Sequence, residues 1–305
     1  MSARIALKFI AFVTFFIFPV AEIAAQELTP RLYWPAPKGT QLLVAGYSHS
    51  AGDVLFDRTI PLYDVDSDIN VGILAYLQTL SLWGRSSNIM VELPYSWGTT
   101  KGLIENYPAQ RDFSAFGDLG FTLTVNLMGA PSMTREDFLA LRADPHPIIG
   151  ASLKVIAPTG GYDSDRLINV GANRWASRLQ LGAIIPFKPS WLFEAAAGIW
   201  FYGDDDEYLP GAREQNPIYA LEAHLIKRFR PGFWASLDFT YFTGGRQTIG
   251  GERLEDVQQN AKVGATVVIP FAGRHAVKIG YATGTVTKYG ADFDQFLLTY
   301  QVLLR

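Results

Sequence analysis

The stretch Gly232-Phe233-Trp234-Ala235-Ser236-Leu237-Asp238-Phe239-Thr240-Tyr241-Phe242-Thr243 decides the fold. Phe233, Ala235, Leu237, Phe239 and Tyr241 recur at every second position, while Ser236, Asp238 and Thr240 fill the positions between. A period of two belongs to a β-strand, whose successive side chains point to opposite faces, so this is a strand with one apolar face. Trp191 to Tyr202 repeats it, with Trp191, Phe193, Ala195, Ala197, Ile199 and Phe201 opposite Glu194, Ala196 and Gly198. In Gly117 to Met128, Leu119, Phe121, Leu123, Val125 and Leu127 stand opposite Asp118, Gly120, Thr122, Thr124 and Asn126.

Extended along the chain, the same test predicts about 12 strands, each near the 9 to 11 residues that a tilted transmembrane strand requires. They start near Gln41, Asp68, Asn88, Gly117, Ile148, Ser177, Ser190, Ile218, Gly232, Asn260, His275 and Asp294. Beyond the N-terminus no run of about 18 consecutive apolar residues occurs, although the chain is 49% hydrophobic and 13% aromatic. Lipid cannot satisfy open backbone groups, so a chain of this kind enters a membrane only as a closed sheet. The fold expected is all-β, a single antiparallel transmembrane β-barrel.

The connections bear this out independently. Leu82 to Arg85, Lys188-Pro189, Arg230-Pro231 and Phe271 to Gly273 are short and turn-like, whereas those after the first, third, fifth, seventh and ninth strands are long, polar and rich in Gly and Asp. Short turns at one end and long loops at the other are what a barrel of the outer membrane shows. Ala130 to Pro147 is a long connection at the short-turn end. It offers a cap in Ser132 to Glu136 and an apolar side in Phe138, Leu139 and Leu141, which predicts a short periplasmic helix.

Three segments divide the chain. Residues 1–25 read as a signal peptide, with Arg4 and Lys8 ahead of the apolar run Phe9 to Phe18, then Pro19 and a small-residue exit at Ala24-Ala25. Residues 26–40 carry three prolines, Tyr33 and Trp34 without alternation, and are expected to fill the lumen as a plug or lie along the rim. Residues 41–305 form the barrel. Removing Met1 to Ala25 takes away Arg4, Lys8 and Glu22, which leaves 24 basic against 28 acidic residues, a formal charge of −4. That balance implies no nucleic-acid partner. An exported chain without cysteine has no disulfide framework and no thiolate metal site.

Aromatic residues concentrate where outward-facing strand positions meet the ends. Phe187, Trp191, Phe229 and Phe233 lie at the turn ends, and Tyr95, Trp97, Phe201, Tyr219 and Tyr241 at the loop ends, the pattern of two interfacial girdles. The opposite face carries Glu92, Asp118, Lys154, Arg178, Glu194, Glu222, His224, Arg228, Asp238, Lys262 and Lys278, which are expected to line the lumen. Their near balance of sign argues against a strongly ion-selective pore and for charges paired across neighbouring strands.

Other motifs carry less. Thr159-Gly160-Gly161-Tyr162-Asp163 follows a strand and opens no helix, so it is a turn rather than a phosphate cradle, as is Thr243-Gly244-Gly245-Arg246. Asp204-Asp205-Asp206-Glu207 lacks the ligand order of a calcium loop. The histidines are His49, His146, His224 and His275; only His49, between Ser48 and Ser50, suggests a hydrolase, and no spacing supports one. No enzyme, cofactor or metal is expected.

Six stretches carry a family resemblance: Arg31 to Gly39, Gly52 to Phe56, Asp68 to Gly72, Ala157 to Gly160, Arg166 to Gly171, and Pro217 to Leu221. On these the chain resembles the bacterial outer-membrane family named for the MetA pathway of phenol degradation, over about Pro30 to Asp294. The resemblance implies an outer-membrane barrel, exported with a cleaved signal peptide, that admits small hydrophobic or aromatic compounds by passive transport. Its partners would be outer-membrane lipid, lipopolysaccharide and the barrel-assembly machinery. It supplies no catalytic or substrate-binding residues. The end Val302-Leu303-Leu304-Arg305 departs from the aromatic terminus usual for such barrels, leaving Tyr300 as the nearest aromatic residue. The alternatives are a non-transporting barrel whose loops bind a partner or lipopolysaccharide, and a barrel lipid-modifying enzyme.

Overall fold

The computed structural model describes residues 28–55, 62–104, 107–166, 169–209 and 211–304. The predicted signal peptide lies outside them. The strands are β1 (Gln41–Leu55), β2 (Leu62–Leu82), β3 (Arg85–Ile104), β4 (Tyr107–Phe116), β5 (Leu119–Met128), β6 (Ile148–Ala157), β7 (Ala176–Lys188), β8 (Trp191–Tyr202), β9 (Arg213–Gln215), β10 (Ile218–Arg230), β11 (Phe233–Gly244), β12 (Gln247–Ile249), β13 (Glu252–Arg253), β14 (Gln258–Phe271), β15 (His275–Val286) and β16 (Gly290–Leu303). Between β5 and β6 runs the helix α1 (Arg135–Ala143).

Twelve strands form a closed ring in the order β1, β2, β3, β5, β6, β7, β8, β10, β11, β14, β15, β16. The ring closes by antiparallel pairing of β1 with β16, from Leu42 opposite Leu303 to Leu55 opposite Gly290. Closure leaves no sheet edge within the ring, which is the condition for crossing lipid.

The faces are inverted relative to a soluble protein. On β11 the polar Ser236, Asp238 and Thr240 are buried while Leu237 is 65% exposed, and on β7 Leu179, Leu181, Ile185 and Phe187 are exposed. An exterior band of large apolar side chains around a polar interior is stable only against lipid.

Local chemistry sets the short turns. Trp83 and Gly84 both take positive φ, 50° and 72°, the twist that suits a two-residue hairpin between β2 and β3. Between β10 and β11, Pro231 fixes one turn position and Gly232, at φ 78°, supplies the next, so the pair enforces the reversal.

Three sequence expectations change. β2 and β3 run 21 and 20 residues rather than 9 to 11, because they stay paired with each other from Leu82 opposite Arg85 to Leu62 opposite Ile104, well beyond the point at which β3 parts from β5. The connection after β3 is therefore not a plain loop; it contains β4, paired to β3 from Tyr95 opposite Phe116 to Ile104 opposite Tyr107. In α1 the cap is Thr134, in a capping box with Asp137, and Leu141 is buried, but Leu139 is 52% exposed and belongs to the solvent side.

Candidate solute passage

The lumen-facing charges are held in pairs that step over an intervening strand. Lys154 Nζ on β6 lies 2.5 Å from Glu92 Oε1 on β3, across β5. Gly120 of β5 makes room, since a Cβ there would stand 2.6 Å from Glu92 Cγ. Arg178 of β7 donates to Glu222 of β10 at 3.3 Å, across β8, and Gln180 donates to the same carboxylate oxygen at 2.7 Å. His224 and Asp238, on paired β10 and β11, instead join neighbouring strands, at 2.8 Å. Thr266 adds a donor to Asp238 at 2.8 Å. The expected pairing between adjacent strands is thus mostly pairing at one remove, because the lumen positions stepped over are small: Gly120 on β5, and Ala196 and Gly198 on β8.

The remaining predicted lumen residues have other partners. Glu194 accepts the backbone N–H of Arg31 at 2.7 Å, and Glu222 accepts the hydroxyl of Thr29 at 2.8 Å. Arg228 donates to the carbonyl of Arg142, at the end of α1, at 3.0 Å, and also to the carbonyl of Pro189. Asp118 accepts the backbone N–H of Gly160 and of Ala172, both at 2.8 Å, and so fixes the long loop after β6 against the wall. Lys262 is buried on β14, and Lys278 borders the lumen cavity.

The segment that precedes β1 lies inside the barrel at its short-turn end. Tyr33 is 1% exposed and its ring lies over Gly150 and Gly182, which are register partners on β6 and β7. A Cβ at either glycine would come within 2.2 Å and 2.1 Å of that ring. The Tyr33 hydroxyl donates to Gln180 Oε1 at 3.0 Å. Trp34 sits between two guanidinium groups, Arg31 at 5.1 Å and Arg228 at 5.3 Å. Tyr33 joins Met133, Leu141, Ile184, Leu192 and Ile226 in one apolar cluster that spans this end of the barrel. Composition alone did not reveal Leu192 and Trp200, large apolar residues on the lumen face of β8; the second caps a cluster with Ile156, Ile218 and Phe242.

These packed regions leave a cavity of about 210 Å³ inside the barrel wall. Val71, Ile73, Pro94, Ile156 and Leu297 make its apolar lining, and Leu28 contributes from the N-terminal segment. Its charged neighbours are Glu92, Lys154, Asp118 and Lys278, two of each sign. Alternation would have assigned Val71 and Ile73 to the lipid side. The legible signal was the run Ile73-Leu74-Ala75, apolar at consecutive positions, which marks a strand apolar on both faces.

A family model described as "Putative MetA-pathway of phenol degradation" matches residues 46–296. The chain belongs to that family. Its match spans the ring from β1 to β16 and begins after the segment that fills the turn end. Of solved structures, an outer membrane channel from Pseudomonas putida F1 superposes with a TM-score of 0.75 at 22% identity, over 91% of this chain and 100% of that one. The translocator domain of the autotransporter NalP from Neisseria meningitidis gives a TM-score of 0.50 at 8% identity, over 93% of this chain and 95% of that one. Both likenesses are of fold. No curated protein matches the chain.

On the outside of this phenol-pathway family barrel, Phe187 and Trp191 approach at 6.3 Å and Phe229 and Phe233 stack at 4.6 Å, both near the short turns. Near the loops Tyr95 packs on Trp97 at 6.1 Å, and Phe201 and Tyr219 are exposed, with Tyr241 half-buried. His49 also faces outward. Its Nδ1 lies 3.2 Å from Asn70 Oδ1 and 3.7 Å from Asp68, whereas Ser48 and Ser50 are buried on the lumen side. The strand pleat thus separates His49 from both serines. Among the described residues no group of three or more His, Asp or Glu is arranged to hold a metal.

Proposed function

We propose that this chain is a passive outer-membrane channel for small hydrophobic or aromatic compounds. The observation that carries the reading is the lumen cavity, whose apolar lining is bordered by two positive and two negative groups, Lys154 already joined to Glu92. A solute entering it gives up water without meeting a net charge, which favours an uncharged molecule over an ion. A small aromatic ring fits the volume. The solved Pseudomonas putida protein of like fold is an outer membrane channel, and the family description concerns phenol degradation.

In this reading the signal peptide is removed on export, residues 26–40 act as a plug, and the outward aromatics anchor the barrel among lipid and lipopolysaccharide. The assembly machinery would read β16 with Tyr300 on its outer face. Transport is by diffusion, with no coupling to an energy source.

Growth tests the proposal. A deletion strain supplied with a panel of neutral aromatic carbon sources at limiting concentration is expected to grow more slowly than the same strain carrying the gene, with no difference at saturating concentration. Equal growth across the whole panel would reject the channel reading.

A further inference from the structure

Directly above the cavity, toward the loop end, four elements send one apolar side chain each into the lumen: Ile69 of β2, Phe113 of β4, Val170 of the long loop after β6, and Phe293 of β16. All four are buried and belong to one packed cluster. Ile69, Phe113 and Phe293 each stand one lumen-facing step beyond the cavity wall. Ile69 follows Val71 along β2, and Phe293 follows Gln295 along β16. Phe113 pairs with Gly98, two residues past Ser96 on β3, and a Cβ on Gly98 would come 3.0 Å from the Phe113 ring. The glycine therefore admits the ring to the lumen side. Val170 belongs to both the collar and the cavity.

We infer that Ile69, Phe113, Val170 and Phe293 form the selectivity collar of the passage, admitting solutes that need no hydration shell and refusing ions whatever their sign. This inference rests on the channel reading and adds the residues that discriminate. Four apolar side chains meet here, and Val54, Val71, Ala115 and Ala291 pack against them; Ser50, the register partner of Ile69 on β1, is buried beside them on the same face. The apolar side chains of this constriction offer few hydrogen-bond partners, Ser50 being the neighbouring hydroxyl, so an ion crossing it would lose most of its hydration with little in exchange. A neutral aromatic loses little on entry and gains contact with the two phenyl rings. The charges lower in the lumen then act after selection, not as its source.

The chain has no native cysteine, so a single introduced thiol reports access to the cavity. Ser96→Cys, buried in the cavity wall, is placed in the full-length protein in intact cells. It is treated from outside with benzyl methanethiosulfonate, or with the cationic trimethylammonioethyl methanethiosulfonate of similar size. The expected result is labelling by the neutral reagent and none by the cation, measured by mass against each reagent's rate with free cysteine. Adding Phe293→Ala should bring the cation's relative rate close to that of the neutral reagent. Val170→Asn, in a loop, makes the same test if the β16 variant fails to assemble. Equal relative labelling by both reagents in the parent overturns the collar. So does exclusion of both, or discrimination unchanged in both collar variants. Uptake of a neutral aromatic, measured in the same cells, keeps the two readings apart. Uptake without discrimination removes the collar alone, whereas discrimination without uptake removes the channel reading and leaves only a discriminating entrance to a closed cavity.

Discussion

Asp118 Oδ2 accepts the backbone N–H of Ala172 at 2.8 Å, tying the wall at the start of β5 to a loop 54 residues further along the chain. The other oxygen of that carboxylate holds Gly160 N–H at 2.8 Å, so one side chain pins both ends of the loop that carries Val170. Hydrogen bonds to a charged acceptor contribute about 1.5–3 kcal/mol each. Asp118→Ala is expected to leave the barrel assembled but to free residues 159–172, seen as faster hydrogen exchange at Gly160 and Ala172 with little change at β5.

The seat of Tyr33 gives a second expectation. Gly182→Val places a side chain where the ring now lies, and overpacking of this kind costs about 1–3 kcal/mol. The N-terminal segment should leave its seat while the ring of strands persists. Limited proteolysis is expected to cut between residues 28 and 40 in Gly182→Val and in Tyr33→Ala, and to spare that segment in the parent.

Arg228 links α1 to the wall by donating to the carbonyls of Arg142 and Pro189 and by stacking on Trp34. Arg228→Met keeps most of the packing volume and removes the donors. Exchange at the amides of α1 should rise by the loss of about 1.5–3 kcal/mol of local protection, with heat-modifiable migration of the barrel unchanged.

The cap of α1 predicts a pH dependence. Asp137 accepts the Thr134 backbone N–H at 3.0 Å and the Thr134 hydroxyl at 2.9 Å, and these bonds hold its carboxyl below the ordinary value of 3.8. With the folded value depressed, the stabilisation is complete above 3.8 and disappears as pH falls through the lower folded value. The protection of the α1 amides, measured against the exchange rate of an unfolded chain at the same pH, should therefore be steady from neutral pH down to about 3.8 and fall below it; Asp137→Asn should weaken the dependence.

How much of this was legible follows from period and pairing. Alternation such as that of Gly232 to Thr243 was enough for twelve ring strands, because burial of one face against lipid enforces a period of two. The capped helix after β5 was also legible from Thr134 onward. The collar and cavity were not. Ile69, Val71 and Ile73 face the lumen although apolar, and where both faces of a strand are apolar no alternation distinguishes them. Nor did spacing reveal that Glu92 meets Lys154 across Gly120, since the pair depends on a missing side chain in the strand between. Asp118 was placed on the lumen face, but its role in holding a loop comes from backbone donors that no side-chain pattern records.

Passage of small neutral aromatics through this lumen is open to direct test by filling the cavity. Ala282, buried in its wall, is replaced by tryptophan, and initial uptake of a radiolabelled neutral aromatic is measured at limiting concentration. With assembly verified by heat-modifiable migration, Ala282→Trp is predicted to reduce uptake to the rate of cells lacking the protein; uptake at the parent rate would contradict the account.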